Sequence, residues 1–357
     1  MVNLTILAGS YTTFIRALSF NADANSLSLL SQSPAGSNPS WIALNPLNHS
    51  VLYATNENSP GGLLSFSVTA SGTLTQIDSF DSGGDDPAYL LPLNNGKEVA
   101  IMNFSSSNGS VMTLTSDFSK FTSSSPVVFV GSGPNADSQD RSHPHEVVEV
   151  GNELFVPDLG ADKIWRLGRS ASGFQTTGFI QQAAGSGPRH IAVKDNTVFA
   201  VHELDNTLTS QTIPPLNSAT PATLLANLTT LPPDIPTGST NGAAELILSS
   251  VTEKYPQQFL YASNRNVSPD PRLIDPRGDT IAIFSPEPLQ LVKHVYTGLN
   301  QIRGMALGGV NQEYLIAAGL TGGGVAIFQR TNNGTDLQLL ARFNGTGSDQ
   351  ISSFAFL

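Results

Sequence analysis

The chain has 357 residues, of which 39% are hydrophobic and 13% charged, and its formal net charge at pH 7 is −11. A chain of this length and apolar content can bury a substantial core, whereas the acidic balance argues against binding to nucleic acid or to an anionic membrane surface. There is no cysteine, which excludes disulfides, thiolate catalysis and cysteine-ligated zinc.

The first residues, "MVNLTILAGSYTTF", predict a strand from residue 2 onward and lack the basic start and long apolar core of a signal peptide. No apolar run reaches the roughly 18 residues needed to span a bilayer. Sequons for N-glycosylation are slightly more frequent than chance, which favours a secreted glycoprotein whose signal peptide has been removed. A cytoplasmic location is the alternative. The sequon asparagines are Asn3, Asn48, Asn103, Asn108, Asn227, Asn266, Asn333 and Asn344.

A strand-forming motif recurs along the chain at intervals of roughly 50 residues. In chain order its copies are "NPSWIALNP", "DDPAYLLPL", "SHPHEVVEV", "SGPRHIAVK", "NGAAELILS", "QIRGMALGG" and the terminal "QISSFAFL". Each of the first six copies is followed by a second strand, and most by a third, with Gly, Asn and Asp at the turns. Seven such units without an amphipathic helix predict an all-β, seven-bladed β-propeller.

The two ends of the chain complete this prediction. The chain opens with strands that lack a first member and closes with a lone first strand, "ISSFAFL". Pairing of the N- and C-terminal strands would close the ring and remove the exposed sheet edges. We therefore expect residues 1–357 to form a single monomeric domain, with irregular excursions at 210–242 and 266–279.

In a propeller the first strand of each blade lines the central channel, so equivalent positions form a ring around the axis. Five of the aligned positions hold small residues, whereas His145 and Arg189 come from adjacent blades. We expect these two side chains to face the axis with space around them. The aligned positions are Ser40, Ala88, His145, Arg189, Ala244, Gly304 and Ser353.

Polar residues at the ends of the second strands are expected at the same channel mouth. They are Asn56, Glu57, His202, Glu203, Asn264 and Arg265. His143 and His190 flank the ring positions and are expected to support the site. Asp158 and Asp162, in "PDLGAD", are typical of turns in which the carboxylate accepts backbone N–H bonds.

The ordered motifs "HPHEVVEVGNELFVPDLGADKIWRL", "GPRHIAV" and "AAELILS…FLYASNRN" resemble the seven-bladed lactonase family. That family includes bacterial cycloisomerase-type 6-phosphogluconolactonases and fungal 3-carboxy-cis,cis-muconate cyclases. The resemblance runs through the whole chain, including "YATNEN" and "LPPDIPTGS", although the insertion after Arg265 departs from the bacterial lactonases.

The resemblance to the fungal cyclases implies a catalytic set of His145, Arg189, Arg265 and Glu203. Guanidinium groups suit a carboxylate or phosphate anchor and a developing negative charge, and an imidazole suits proton transfer near neutral pH. The expected substrate contacts are His143, His190, His202, Asn264, Arg303 and Glu57.

These residues predict an enzyme without cofactor or metal that acts on the lactone bond of a small anionic or sugar-acid substrate. Lactone hydrolysis and muconate-type cycloisomerisation both stay open, since Arg189, Arg265 and Arg303 could anchor a tricarboxylate. A metal-dependent lactonase is a rival, but adjacent arginines would repel a divalent cation. The non-catalytic alternative is a secreted binding or adhesion platform.

Overall fold

The computed structural model describes residues 3–171, 173–216, 218 and 220–357, and it arranges them as seven four-stranded antiparallel sheets. The predicted start of the first strand at residue 2 lies outside the described residues. The N-terminal strands are β1 (Asn3–Ser10), β2 (Phe14–Asn21) and β3 (Ser26–Pro34).

The following blades are numbered in chain order. Blade 1 contains β4 (Ile42–Asn45), β5 (Asn48–Asn56), β6 (Gly62–Val68) and β7 (Leu74–Asp81). Blade 2 contains β8 (Pro87–Pro92), β9 (Glu98–Asn103), β10 (Asn108–Leu114) and β11 (Phe121–Val128). Blade 3 contains β12 (Val148–Val150), β13 (Glu153–Asp158), β14 (Lys163–Ser170) and β15 (Gly173–Gln181).

The second half of the ring repeats this order. Blade 4 contains β16 (Pro188–Lys194), β17 (Thr197–His202), β18 (Thr207–Thr212) and β19 (Leu224–Thr229). Blade 5 contains β20 (Asn241–Leu248), β21 (Leu260–Asn266), β22 (Thr280–Pro286) and β23 (Leu289–Tyr296). Blade 6 contains β24 (Asn300–Gly308), β25 (Tyr314–Gly322), β26 (Val325–Thr331) and β27 (Asp336–Phe343). Short 3₁₀ turns are the helical elements of the described residues, at Phe104–Ser106, Pro271–Leu273 and Asn332–Gly334.

Blade 7 is built from both ends of the chain, as predicted. Strand β28 (Ile351–Phe356) is its innermost member and pairs antiparallel with β1, placing Leu7 opposite Ala355 and Gly9 opposite Ser353. A Cβ at Gly9 would lie 2.6 Å from the carbonyl oxygen of Pro39, so glycine permits the close approach of blade 1. The prediction of a seven-bladed propeller closed by terminal strand pairing is confirmed.

The core lies between the blades rather than within them. Seven apolar clusters occur among the described residues, one at each interface between neighbouring blades. Between blades 2 and 3, for example, Met102 packs in one cluster with Trp165. Because both faces of each sheet are covered, strands such as β21 are buried along their whole length. Each fully buried apolar side chain contributes about 1.5–3 kcal/mol.

Both predicted excursions depart from the repeat, but the first is partly regular. Segment 210–242 includes the end of β18 and all of β19, so most of blade 4's outer edge comes from this Pro- and Thr-rich stretch. Its last part meets the second excursion: the Nη1 of Arg277 lies 2.6 Å from Oδ2 of Asp234. The two segments therefore contact each other beside blade 5.

Two of the eight sequons are unsuited to glycosylation in the folded chain. Asn103 and Asn266 are buried, and their side-chain amides donate to the carbonyl oxygens of Ser82 at 3.1 Å and Leu273 at 2.6 Å. Without these two, the number of sequons is no higher than chance predicts. The sequon count therefore no longer supports the predicted secreted location. Within the described residues, no helix has the length and apolar character needed to cross a membrane.

Candidate active site at the channel mouth

The channel mouth is formed where the innermost strands begin. The pairing register shifts at this point in β8, β16, β20 and β24, and such bulges re-aim side chains relative to a regular strand. In β16 the shift lies between Pro188 and His190, which leaves Arg189 without a partner in the ladder. The side chains converge on a small cavity lined by Tyr11, Ser40, Trp41, Ala88, His145, Arg189, Arg303 and Ser352.

This lining matches the predicted ring in blades 1 to 4 and differs from it in blades 5, 6 and 7. The predicted residue of blade 5, Ala244, is not one of the lining residues. The bulge between Ile302 and Met305 brings Arg303 rather than Gly304 to the cavity. Gly304 instead faces the backbone of Ser352, where a Cβ would collide with its carbonyl oxygen. Serine lines the cavity from blade 7 as expected, but through Ser352 rather than Ser353.

His145 occupies the cavity with its imidazole unpaired. The structure places it before β12, not within it; its backbone N–H donates to the carbonyl oxygen of Pro157 at 3.0 Å. The side chain is buried, and neither ring nitrogen has a hydrogen-bond partner among the described residues. Burial and the neighbouring guanidinium of Arg189 hold the pKa of His145 well below its usual range. The imidazole is therefore neutral at physiological pH, with a lower affinity for a proton than an ordinary histidine.

Segment 142–145 is fixed by Asp158. One oxygen of this buried carboxylate accepts the backbone N–H groups of His143, Gly160 and Ala161 at 2.7–3.1 Å. The other accepts the indole N–H of Trp165 at 2.7 Å. This geometry matches the predicted turn role of Asp158, and it anchors the chain two residues before His145.

Glu203 joins the two predicted catalytic arginines. Its Oε2 lies 2.9 Å from Nε of Arg189 and 2.8 Å from Nη2 of Arg265. Burial would raise the pKa of Glu203, but Arg265 and Arg189 lower it below its ordinary value, so the group stays ionised. Burial and the like charge of Arg265 lower the pKa of Arg189 to about 9. The Nη1 of Arg189 has no hydrogen-bond partner among the described residues and is free to bind an anionic oxygen.

A second polar group lies on the opposite side of the cavity. Tyr11 donates its hydroxyl to Oε1 of Glu57 at 3.2 Å, and Ser40 donates to the other oxygen. The guanidinium carbon of Arg303 lies 5.2 Å from the centre of the Tyr11 ring. Burial would lower the pKa of Arg303, but Tyr11, Glu57 and Glu203 raise it, so Arg303 is a cation in the cavity wall.

Tyr11 was not among the predicted site residues, although the signal for it was available. It follows directly after β1, which is the second strand of blade 7. That is the same location in the repeat that yielded Glu57, Glu203 and Arg265.

Below these residues lies a buried layer with two further residues that the prediction missed. Glu146 and Glu245 flank the imidazole of His190, and one ligand atom from each of the three lies within 4.8 Å of the others. Such a set of two carboxylates and an imidazole is able to hold a metal ion. The sequence contained a signal for both glutamates, because Glu146 and Glu245 each come directly after a residue predicted to face the axis.

Four of the six residues predicted to contact substrate are not brought into the cavity, because other groups already hold them. One is His190, whose Nδ1 lies 2.9 Å from Oε1 of Glu245 in the buried layer. His143 stacks on Phe104, with its Nδ1 2.8 Å from that residue's carbonyl oxygen. His202 is buried in blade 4, with its Nε2 3.0 Å from the hydroxyl of Thr209. The amide of Asn264 donates to the carbonyl oxygen of Thr230 at 2.8 Å.

Comparisons with known proteins agree with this architecture. A family model described as "Lactonase, 7-bladed beta-propeller" matches residues 5–349. A 6-phosphogluconolactonase of Formosa agariphila is 26% identical over 98% of this chain and 100% of its own length. A 6-phosphogluconolactonase of Bacillus subtilis is 24% identical over 85% of this chain and 83% of its own. The solved structure of the Pseudomonas aeruginosa periplasmic gluconolactonase PpgL superposes with a TM-score of 0.83 at 20% identity, covering 100% of this chain and 99% of that one.

Proposed function

The chain belongs to the lactonase family of seven-bladed β-propellers, and on that basis we propose that it hydrolyses the lactone of a small sugar acid at the channel mouth, without a cofactor. The observation that carries the proposal is that one cavity contains both the unpartnered imidazole of His145 and an unpartnered guanidinium nitrogen of Arg189. The relatives named 6-phosphogluconolactonase support a sugar-acid lactone as the substrate class.

In the proposed reaction His145 acts as general base. A water molecule attacks the lactone carbonyl carbon and gives its proton to the imidazole, while the carbonyl oxygen becomes an oxyanion beside Arg189. Collapse of the tetrahedral intermediate breaks the ring C–O bond, and the imidazolium returns its proton to the leaving alkoxide. The product is one open-chain hydroxy acid, whose new carboxylic acid group then releases its proton to water and becomes a carboxylate.

Glu203 has a positioning role in this scheme. Its carboxylate lies within 2.9 Å of both Arg189 and Arg265 and stays ionised between them. It therefore fixes the direction of the guanidinium groups and reduces the net positive charge at the mouth. Arg303, which also lines the cavity, provides a second cation toward the substrate.

Cycloisomerisation of a muconate is the second candidate, since three guanidinium groups suit a polycarboxylate. Hydrolysis is favoured because Glu203, whose Oε2 lies 2.8 Å from Nη2 of Arg265, compensates one of these charges. A compensated mouth suits a neutral or singly charged lactone better than a tricarboxylate. A secreted location, which stays a proposal, would favour lactones formed by extracellular sugar oxidation.

The test is hydrolysis of glucono-δ-lactone, 6-phosphogluconolactone and a carboxymuconolactone, each measured against spontaneous opening in buffer. We expect at least one sugar lactone to open faster with enzyme, and the rate to be unchanged after dialysis against a chelator. His145→Ala should reduce kcat/KM about 10²–10⁴-fold, and Arg189→Gln about 10²–10³-fold.

The matched control is His49→Ala, which replaces an exposed histidine of blade 1. It should keep the full rate. An enzyme in which His145→Ala is folded and fully active would refute the assignment, and absence of any lactone turnover would favour the binding-platform alternative.

A further inference from the structure

Two arginines line the cavity from innermost strands, Arg189 in blade 4 and Arg303 in blade 6. In both blades the chain reaches the arginine through a left-handed residue two positions earlier. These residues are Gly187, with a φ of 65°, and Gln301, with a φ of 61°. The left-handed conformation is unfavourable for a residue with a long side chain, so surrounding contacts must hold Gln301 in place. The direction of each arginine therefore depends on what fixes the turn before it.

Asp279 of blade 5 holds the turn before Arg303. Oδ2 of its buried carboxylate accepts the backbone N–H of Gln301 at 2.5 Å. Its Oδ1 accepts the N–H of Asn266 at 3.1 Å, and Asn266 directly follows Arg265 in the sequence. One carboxylate thus fixes the backbone beside two mouth arginines that belong to different blades.

Asp162 of blade 3 has the same relation to Arg189. Its Oδ1 accepts the N–H of Gly187 at 2.8 Å, and its Oδ2 accepts the N–H of Gly185 at 2.7 Å. Asp162 comes directly before β14 and Asp279 directly before β22, and each of these strands is the third of its blade. The two aspartates therefore occupy equivalent positions of the repeat.

The other blades show that this carboxylate accompanies an arginine. Among the described residues, the other five blades have no carboxylate directly before the third strand, and no blade that follows them brings an arginine from its innermost segment to the mouth. The five residues are Thr13, Gly61, Ser107, Asn206 and Gly324. Before Ser40, the left-handed Asn38 donates its N–H to the backbone carbonyl of Thr12 at 2.8 Å. A left-handed turn at the mouth therefore does not itself require a carboxylate.

We propose that Asp162 and Asp279 are positioning residues of the mouth, which fix the entering backbone so that Arg189 and Arg303 point toward the substrate. Their catalytic meaning rests on the proposed lactonase function, in which Arg189 binds the oxyanion and Arg303 is a second cation. A carboxylate accepts an N–H more strongly than a carbonyl does. A displacement of about 1 Å at a group that binds substrate is enough to weaken its effect.

The kinetic test is Asp279→Asn in the full-length chain, measured with the lactone that is turned over. Asparagine keeps the size of the side chain but has one acceptor oxygen, so one of the two N–H groups loses its partner. KM should rise about tenfold while kcat changes less than about threefold, because Arg303 binds the substrate and takes no part in proton transfer.

Asp275→Asn is the control in the same blade, since this buried carboxylate accepts the N–H of Arg277 at 2.9 Å. Its KM should equal that of the wild type. A purely structural aspartate would lower the amount of active enzyme and leave KM unchanged. An unchanged KM in Asp279→Asn, or an equal rise in the control, would overturn the proposal.

Sulfate binding tests the same positioning without a lactone, because sulfate keeps its charge above pH 5 and needs only fixed cations. At pH 7.5, calorimetry should show about tenfold weaker sulfate binding in both Asp279→Asn and Asp162→Asn, with Asp275→Asn like the wild type. This result without any lactone turnover would support the positioning roles and refute the proposed function. Equal binding in all variants, or no binding to the wild type, would refute the positioning roles whatever the turnover.

The wild-type protein supplies a further test, which also serves if the variants do not fold. Asp279 faces Arg265 on β21, Asp275 in the second excursion and Tyr296 on β23. Burial raises the pKa of Asp279 to about 6, although its two N–H donors and Arg265 lower it. Below this pH one oxygen carries a proton and accepts an N–H poorly, so the turn before Arg303 should loosen.

Sulfate binding to the wild type should therefore weaken several-fold as the pH falls from 7.5 to 5. The other titratable groups at the mouth act in the opposite direction, because each added proton makes the site more positive and strengthens anion binding. They are Tyr11, Glu57, His145 and Glu203, with Glu146, His190 and Glu245 beneath them. If sulfate binding instead strengthens steadily over this range, the proposal fails.

Discussion

Glutamine in place of Glu203 is the sharpest test of the channel mouth. A single oxygen of this carboxylate lies 2.9 Å from Arg189 and 2.8 Å from Arg265. Glutamine keeps the size and one acceptor but removes the charge that separates the two cations. We expect the guanidinium groups to repel each other and to lose their fixed directions.

The expected cost follows from the geometry. A charge pair at about 3 Å interacts by about 6 kcal/mol at an effective dielectric constant of about 20, and desolvation of the ions offsets most of this. Removing one partner of a fully buried pair costs about 3–5 kcal/mol. The side chain of Glu203 is 27% exposed and glutamine retains one acceptor, so we expect a loss of about 2–3 kcal/mol in the free energy of unfolding.

The substitution should also reduce catalysis. With Arg189 no longer held, kcat for lactone hydrolysis should fall about 10²-fold. Because Glu203 is one of the groups that raise the pKa of Arg189, the alkaline limb of the pH profile should also move to lower pH. Chemical denaturation and steady-state kinetics from pH 6 to pH 10 measure both effects.

The matched control is Glu98→Gln, which removes a carboxylate bound by Arg169 at the surface through contacts of 2.7 and 2.9 Å. Arg169 is 49% exposed, so the loss should be below about 1 kcal/mol and turnover unchanged. If Glu203→Gln behaves like this control, the two arginines do not depend on the shared carboxylate and the account of the site is wrong.

Three further outcomes are expected. Burial lowers the pKa of His202 to about 3, so the unfolded chain binds a proton at a higher pH than the folded chain does. The free energy of unfolding should therefore fall as the pH drops from about 6.5 toward 3. In urea unfolding, His202→Gln should remove up to about 1.4 kcal/mol per pH unit of that slope, whereas the control His49→Gln should not. Deletion of residues 351–357 removes the innermost strand of blade 7 and should abolish cooperative thermal unfolding; a sharp transition would contradict ring closure as the source of stability. Asp158→Ala leaves buried N–H donors unpaired and should cost about 3 kcal/mol, with reduced turnover because His145 loses its anchored neighbour; an unchanged melting temperature would refute this.

The sequence predicted that His145 and Arg189 would lie in the same cavity at the axis. It did so because matching positions of the repeat occupy matching places around the ring. It was less able to choose between adjacent residues at the ends of the second strands. Successive side chains of a strand point to opposite faces, so Glu203 and Arg265 reach the mouth while His202 and Asn264 turn into their blades. A repeat alignment cannot decide that alternation, because a shift of one residue reverses it.

The repeat length, the turn residues and the unpaired first and last strands determined the seven-bladed ring, since these are local patterns that one chain displays along its length. Only the tertiary structure decided which charges meet on the axis. The bulges that bring Arg303 rather than Gly304 to the cavity, and the packing that places Glu146 and Glu245 against His190, depend on contacts between blades. The state of His145 follows from those contacts, because burial and converging charges, not residue type, set its affinity for a proton.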